Sequence, residues 1–82
     1  MESAEILGDV NNIFIKILYD NSIVLRNETT ANDIEEWDSL THIQLIVAIE
    51  KHFKVRFTSA EMRGFKNVGD MCRTVLQKLK QQ

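Results

Sequence analysis

The sequence predicts an all-α domain: a small bundle of three longer helices and one short helix, with a long loop between the first and second. Three observations predict it. Apolar residues recur at spacings of three and four in three separate stretches, which is the signature of one-sided helices. Proline is absent and glycine occurs only three times in 82 residues, so little interrupts a helix. The one alternating run, Phe53-Lys54-Val55-Arg56-Phe57, has no second strand to pair with.

In the first helix Ile6, Leu7, Val10, Ile13, Phe14, Ile17 and Leu18 form the apolar stripe, with Asp9, Asn12 and Lys16 between them. Ser3 is its expected N-cap, and Asp20-Asn21-Ser22 its stop. Residues 20 to 38 form the long connection. Asn27, Thr29, Thr30, Asn32 and Asp33 disfavour a regular element there, while Ile23, Val24, Leu25 and Ile34 are expected to pin it to the core. Loops of this length in a compact domain are often functional. The second helix runs from about Ser39 to His52 or Phe53, capped by Asp38 or Ser39. Thr58-Ser59-Ala60-Glu61 matches a capping box and starts a short third helix that ends near Gly64. Asn67, with Asp70 three residues on, opens a last helix whose apolar side is Val68, Met71, Cys72, Val75, Leu76 and Leu79. The tail from Lys78 to Gln82 reads as solvated.

The second helix carries two apolar arcs. At about 100° per residue, with Leu40 at zero, Leu45, Ile46, Ile49 and Phe53 span roughly 140° to 240°. Ile43 and Val47 fall with Leu40 between roughly 300° and zero. A bundle this small can cover one arc fully, so the Leu40-Ile43-Val47 arc is expected to stay open as a contact surface. A central helix buried on both sides is the alternative.

Composition bounds the function. With 44% hydrophobic and 27% charged residues, the 82 residues read as one globular domain, 1–82, with little room to enclose a substrate. Ten Lys and Arg against twelve acids, scattered, give no basic stripe for nucleic acid. The longest wholly apolar run, Leu45 to Ile49, is far short of a membrane span, so no membrane insertion is expected, and the opening Glu2, Ser3 and Glu5 give no expectation of a signal peptide. A cytoplasmic monomer is the simplest reading. Cys72 is the single cysteine, expected as a buried inert thiol. His42 and His52 point apart on the helical projection, so no metal site is expected. His42, within a turn of Ser39, reads either as an edge residue packed on the loop or as a group touching a phosphate or a partner. A Ser-His-Asp hydrolase built from Asp38, Ser39 and His42 fails, because Ser and His three residues apart on one helix leave no oxyanion donors or pocket. No catalytic residue is expected.

Asp38-Ser39-Leu40 alone is a helix cap. The same position also suits a phosphodiester, because unpaired N–H groups and the helix dipole favour anionic charge at a helix start. The run Trp37-Asp38-Ser39-Leu40-Thr41-His42-Ile43-Gln44-Leu45, continuing through Ala48-Ile49-Glu50, Phe53, Val55 and Val68-Gly69-Asp70, resembles the acyl carrier protein family over essentially the whole chain. The resemblance implies that Ser39 carries covalent 4′-phosphopantetheine, installed from coenzyme A by a magnesium-using phosphopantetheinyl transferase. It implies that Asp38 supports transferase recognition and that Leu40, Ile43 and Val47 are partner contacts; Trp37, beside them, is expected to be a partner-binding residue too. It implies a non-catalytic shuttle that delivers an acyl or aminoacyl thioester between loading and transferring enzymes.

Two departures separate this chain from the fatty-acid-synthesis pattern. Glu50 is the only acid between Ser39 and Phe53, where the familiar carrier is acid-rich, and Trp37 stands where a small residue is common. Both imply a carrier of a specialised pathway. The alternatives are an unmodified helical adaptor that binds through Leu40, Ile43 and Val47, and a regulatory domain phosphorylated at Ser39.

Overall fold

The computed structural model describes residues 2–81. Its helices are α1 (Ser3–Leu18), α2 (Ser39–Phe53), α3 (Ser59–Gly64) and α4 (Val68–Lys80), with one 3₁₀ turn at Ala31–Asp33 in the long connection. α1 packs against both α2 and α4. Its buried stripe, Ile6, Val10, Phe14 and Leu18, meets Leu45, Ile46, Ile49 and Phe53 of α2 and Val68, Met71, Cys72 and Val75 of α4. Among the described residues there is no strand. Val55 is buried and Phe57 half-buried, and the Glu50 carboxylate takes the Phe57 amide at 2.8 Å, so the alternating run is a tethered connection.

The helix ends follow local chemistry. α1 starts one residue earlier than Ser3 as cap: Glu2 is the extended residue, and the Glu5 carboxylate accepts its amide at 3.2 Å. α1 and α2 both stop on a left-handed residue, Tyr19 (φ 54°) and Lys54 (φ 59°). The amides of Asp20 and Val55 then return to the carbonyls of Ile15 and Glu50, closing the last turns. Thr58 caps α3 by accepting from the Glu61 amide, and Asn67 caps α4 by accepting from the Asp70 amide.

The long connection is held from two sides. The Asn11 side chain of α1 donates to the Ile23 carbonyl (3.2 Å) and accepts from the Leu25 amide (2.6 Å). Ile23 and Leu25 are thereby buried. Val24, expected to join them, is exposed, because an extended chain turns alternate residues outward. Farther on, the first amides of α4 dock on the loop: Val68 donates to the Thr29 carbonyl and Gly69 to the Asn27 carbonyl. Gly69 permits this approach, since a Cβ there would lie 2.9 Å from the Asn27 oxygen.

Lys78, read as part of a solvated tail, is half-buried. Its ammonium lies 2.9 Å from Glu61 and 5.8 Å from the Phe57 ring centroid, joining α4 to α3. Gln82 lies outside the described residues.

Candidate functional site

The two arcs of α2 divide as the projection predicts. Leu45, Ile46, Ile49 and Phe53 are buried, while Leu40, Ile43 and Val47 are 67%, 52% and 42% exposed. Ser39 stands at the N-terminal end of that open face, itself exposed. Among the described residues its hydroxyl and its amide have no hydrogen-bond partner.

Asp38, rather than Ser39, is the cap. One carboxylate oxygen accepts from the Leu40 amide at 3.0 Å and the Thr41 amide at 2.9 Å. The Thr41 hydroxyl accepts in return from the Asp38 amide at 2.8 Å. These bonds, the Thr41 amide first, hold the Asp38 carboxyl below the usual aspartate range. Asp38 thus stays anionic and fixed, and leaves the neighbouring serine free.

Trp37 departs from the expectation for it. It is buried, with its ring edge-on to Phe14 at 5.0 Å, so it belongs to the core and not to the open face. The indole is too large and apolar to leave in water when α1 offers Phe14. Its N–H donates to Nδ1 of His42 at 3.0 Å. An indole N–H can only donate, so Nδ1 accepts, and Nε2 carries the proton and donates to the Met62 carbonyl at 3.0 Å. Of the two readings of His42, the packed one is observed: it ties the start of α2 to α3. His52 is also engaged, with Nε2 3.2 Å from the Asp9 carboxylate of α1. Neither His42 bond was legible in the sequence, because Trp37 and Met62 come into range only through the fold.

The tie shapes a groove of about 590 Å³ beside Ser39. Trp37, His42, Ile43, Met62 and Phe65 line it, and Arg63 and Lys66 stand at its edge. Phe65 is braced by Phe57 at 5.4 Å. A modified serine here would project from a rigid helix end, with an apolar groove on one side and open solvent on the other. Among the described residues no three His, Cys, Asp or Glu side chains gather as metal ligands, and no helix is long and apolar enough to cross a membrane.

The family model for the phosphopantetheine attachment site matches residues 9–75. The chain belongs to the acyl carrier protein family. It is similar to the solution structure of a holo acyl carrier protein from Geobacter metallireducens, with 47% identity, a TM-score of 0.86, and coverage of 92% of this chain and 86% of that one. No curated protein matches. Its cofactor as an acyl carrier protein is covalent 4′-phosphopantetheine. The residues present fit that group: an exposed serine hydroxyl without a partner, at a helix start, beside a carboxylate already committed to backbone amides. The group supplies a terminal thiol, on which a carrier holds its cargo as a thioester. No thiol of the chain competes, because Cys72 is 3% exposed and burial pushes it up to about 11.

Proposed function

We propose that Ser39 is the attachment site, and that the protein carries an acyl or aminoacyl thioester between enzymes of a specialised biosynthetic pathway. The single observation behind this reading is the free, exposed Ser39 at the head of α2, inside the matched region and adjoining the open Leu40-Ile43-Val47 face. A phosphopantetheinyl transferase loads Ser39 from coenzyme A, and Asp38, held anionic beside it, supports recognition. Leu40, Ile43 and Val47 are the contacts for that enzyme and for those that load and remove cargo. Trp37 acts only from beneath, through His42. The chain works as a cytoplasmic monomer and contributes no catalytic group.

The specialised assignment rests on α2. Glu50 is its one acid, and that carboxylate is engaged with the Phe57 amide. Partners that recognise an acid-rich helix would find little to bind here. Intact-protein mass spectrometry after incubation with coenzyme A and a broad-specificity transferase tests the carrier reading. A mass gain of one phosphopantetheine, absent in Ser39→Ala, is expected. No gain under conditions that modify a control carrier would refute it and leave an unmodified adaptor.

A further inference from the structure

Charge is segregated around the open face of α2. Two hollows flank the Leu40-Ile43-Val47 stripe. The groove beside Ser39 and Ile43 has Arg63 and Lys66 against Asp38. The hollow beyond Val47 has Lys51, Lys54 and Arg56 against Glu50. Half of the chain's ten basic side chains therefore border this face, with only two of its twelve acids. Both of those acids are engaged with backbone, Asp38 with the Leu40 and Thr41 amides and Glu50 with the Phe57 amide. Among the described residues Arg63 and Lys66 form no ion pair; the Arg63 Nε–H goes to the Ser59 carbonyl of its own helix at 3.4 Å.

The acids gather elsewhere. Asp20, Asp33, Glu35 and Glu36 line a hollow of the long connection, with Arg26 as its one basic member. A chain of net charge −2 thus presents a positive rim beside its apolar stripe, while four of its acids line the hollow of the long connection.

We propose that the enzymes docking on this face present carboxylates around an apolar socket: the stripe enters the socket, and Arg63, Lys66, Lys51 and Arg56 meet Asp and Glu side chains at its rim. The inference rests on the carrier reading. Opposite charge at a solvent-exposed rim acts mainly on encounter rate and on rejection of wrong partners. It is screened by salt, with a reach near 10 Å at ~0.1 M. A basic-rimmed enzyme is repelled by the same cations, so one surface sets both preference and exclusion.

The test uses two phosphopantetheinyl transferases of known structure, one with an acidic and one with a basic rim at the carrier-docking surface. kcat/KM for loading is measured at low and high salt on four proteins: wild type, Lys51→Glu/Arg56→Glu, Arg63→Glu/Lys66→Glu and Lys16→Glu/Lys80→Glu. Circular dichroism checks each fold. The last pair makes the same change in net charge on exposed positions of α1 and α4. With the acid-rimmed enzyme, each α2-face reversal should lower kcat/KM about tenfold, and salt should slow the wild type; the distal pair should have little effect. With the basic-rimmed enzyme the same reversals should accelerate loading. Loading that ignores the α2-face reversals, or that responds equally to the distal pair, overturns the charge proposal and leaves the carrier reading standing. Failure of both enzymes to load any of the proteins, while they load a control carrier, removes both.

Discussion

Replacing Ile49 and Ile43 by alanine makes one chemical change at two points on α2, and the structure assigns the two very different costs. Ile49 is 0% exposed, on the face of α2 that packs against α1, while Ile43 is 52% exposed. Truncation removes three carbons, worth about 0.8 kcal/mol each when buried, or about 2.4 kcal/mol. At Ile49 the surrounding core closes in only partly, so a cavity term raises the total to about 3–4 kcal/mol. At Ile43 about half of the transfer term is already spent in water, and no cavity forms in an open groove. The better helix propensity of alanine returns about 0.4 kcal/mol, leaving a net cost below about 1 kcal/mol. For a domain of this size, about 4–8 °C accompanies each kcal/mol. The melting temperature followed by circular dichroism should therefore drop by about 12–32 °C for Ile49→Ala and by less than about 8 °C for Ile43→Ala. Loading should show the opposite order, with Ile43→Ala slower than wild type at temperatures where both variants are folded, and Ile49→Ala near normal. Equal melting shifts, or a larger one at Ile43, would refute the division of α2 into a core face and a contact face.

Three further outcomes follow from the same structure. His42→Ala leaves the Trp37 indole N–H and the Met62 carbonyl without their shared partner, at a cost of about 1–3 kcal/mol. It should also speed amide exchange in α3 more than in α1, and uniform exchange would argue against a tether. Cys72 should resist an aromatic disulfide reagent in the native apo protein, so that loading creates one reactive thiol; rapid labelling of the apo protein would contradict its burial. Asp38, Asp20 and Glu61 are held below their ordinary values of 3.8, 3.8 and 4.5, by the Thr41 amide, the Ser22 hydroxyl and the Thr58 amide respectively. A carboxyl lowered in the folded state stabilises above its unfolded value and stops doing so as pH falls through the folded one. Melting temperature should thus hold above those ordinary values and decline below them, less steeply in Asp38→Asn; an identical acid limb in that variant would rule out Asp38 as a contributor.

What could be read from the chain alone was whatever depends on neighbours within a turn or two. The spacing of Ile6, Val10, Phe14 and Leu18 marks a buried stripe without any partner in view, and Thr58 with Glu61 or Asn67 with Asp70 marks a helix start because the bond closes over three residues. The angular separation of Ile43 and Val47 from Ile49 is equally local, which is why the open face of α2 and the placing of Ser39 at its tip were legible. Contacts between segments were not. Trp37 looked like part of a binding surface because its sequence neighbours were expected to be, and only the position of Phe14 on α1 turned it inward. The hold of Asn11 on Ile23 and Leu25, of Gly69 on Asn27, and of His42 on Met62 joins residues far apart in the chain, and no periodicity encodes such a pair. Charge segregation is partly local, since Lys51, Lys54, Arg56, Arg63 and Lys66 follow one another within residues 51–66, but their division between the two borders of one apolar stripe comes only from the fold.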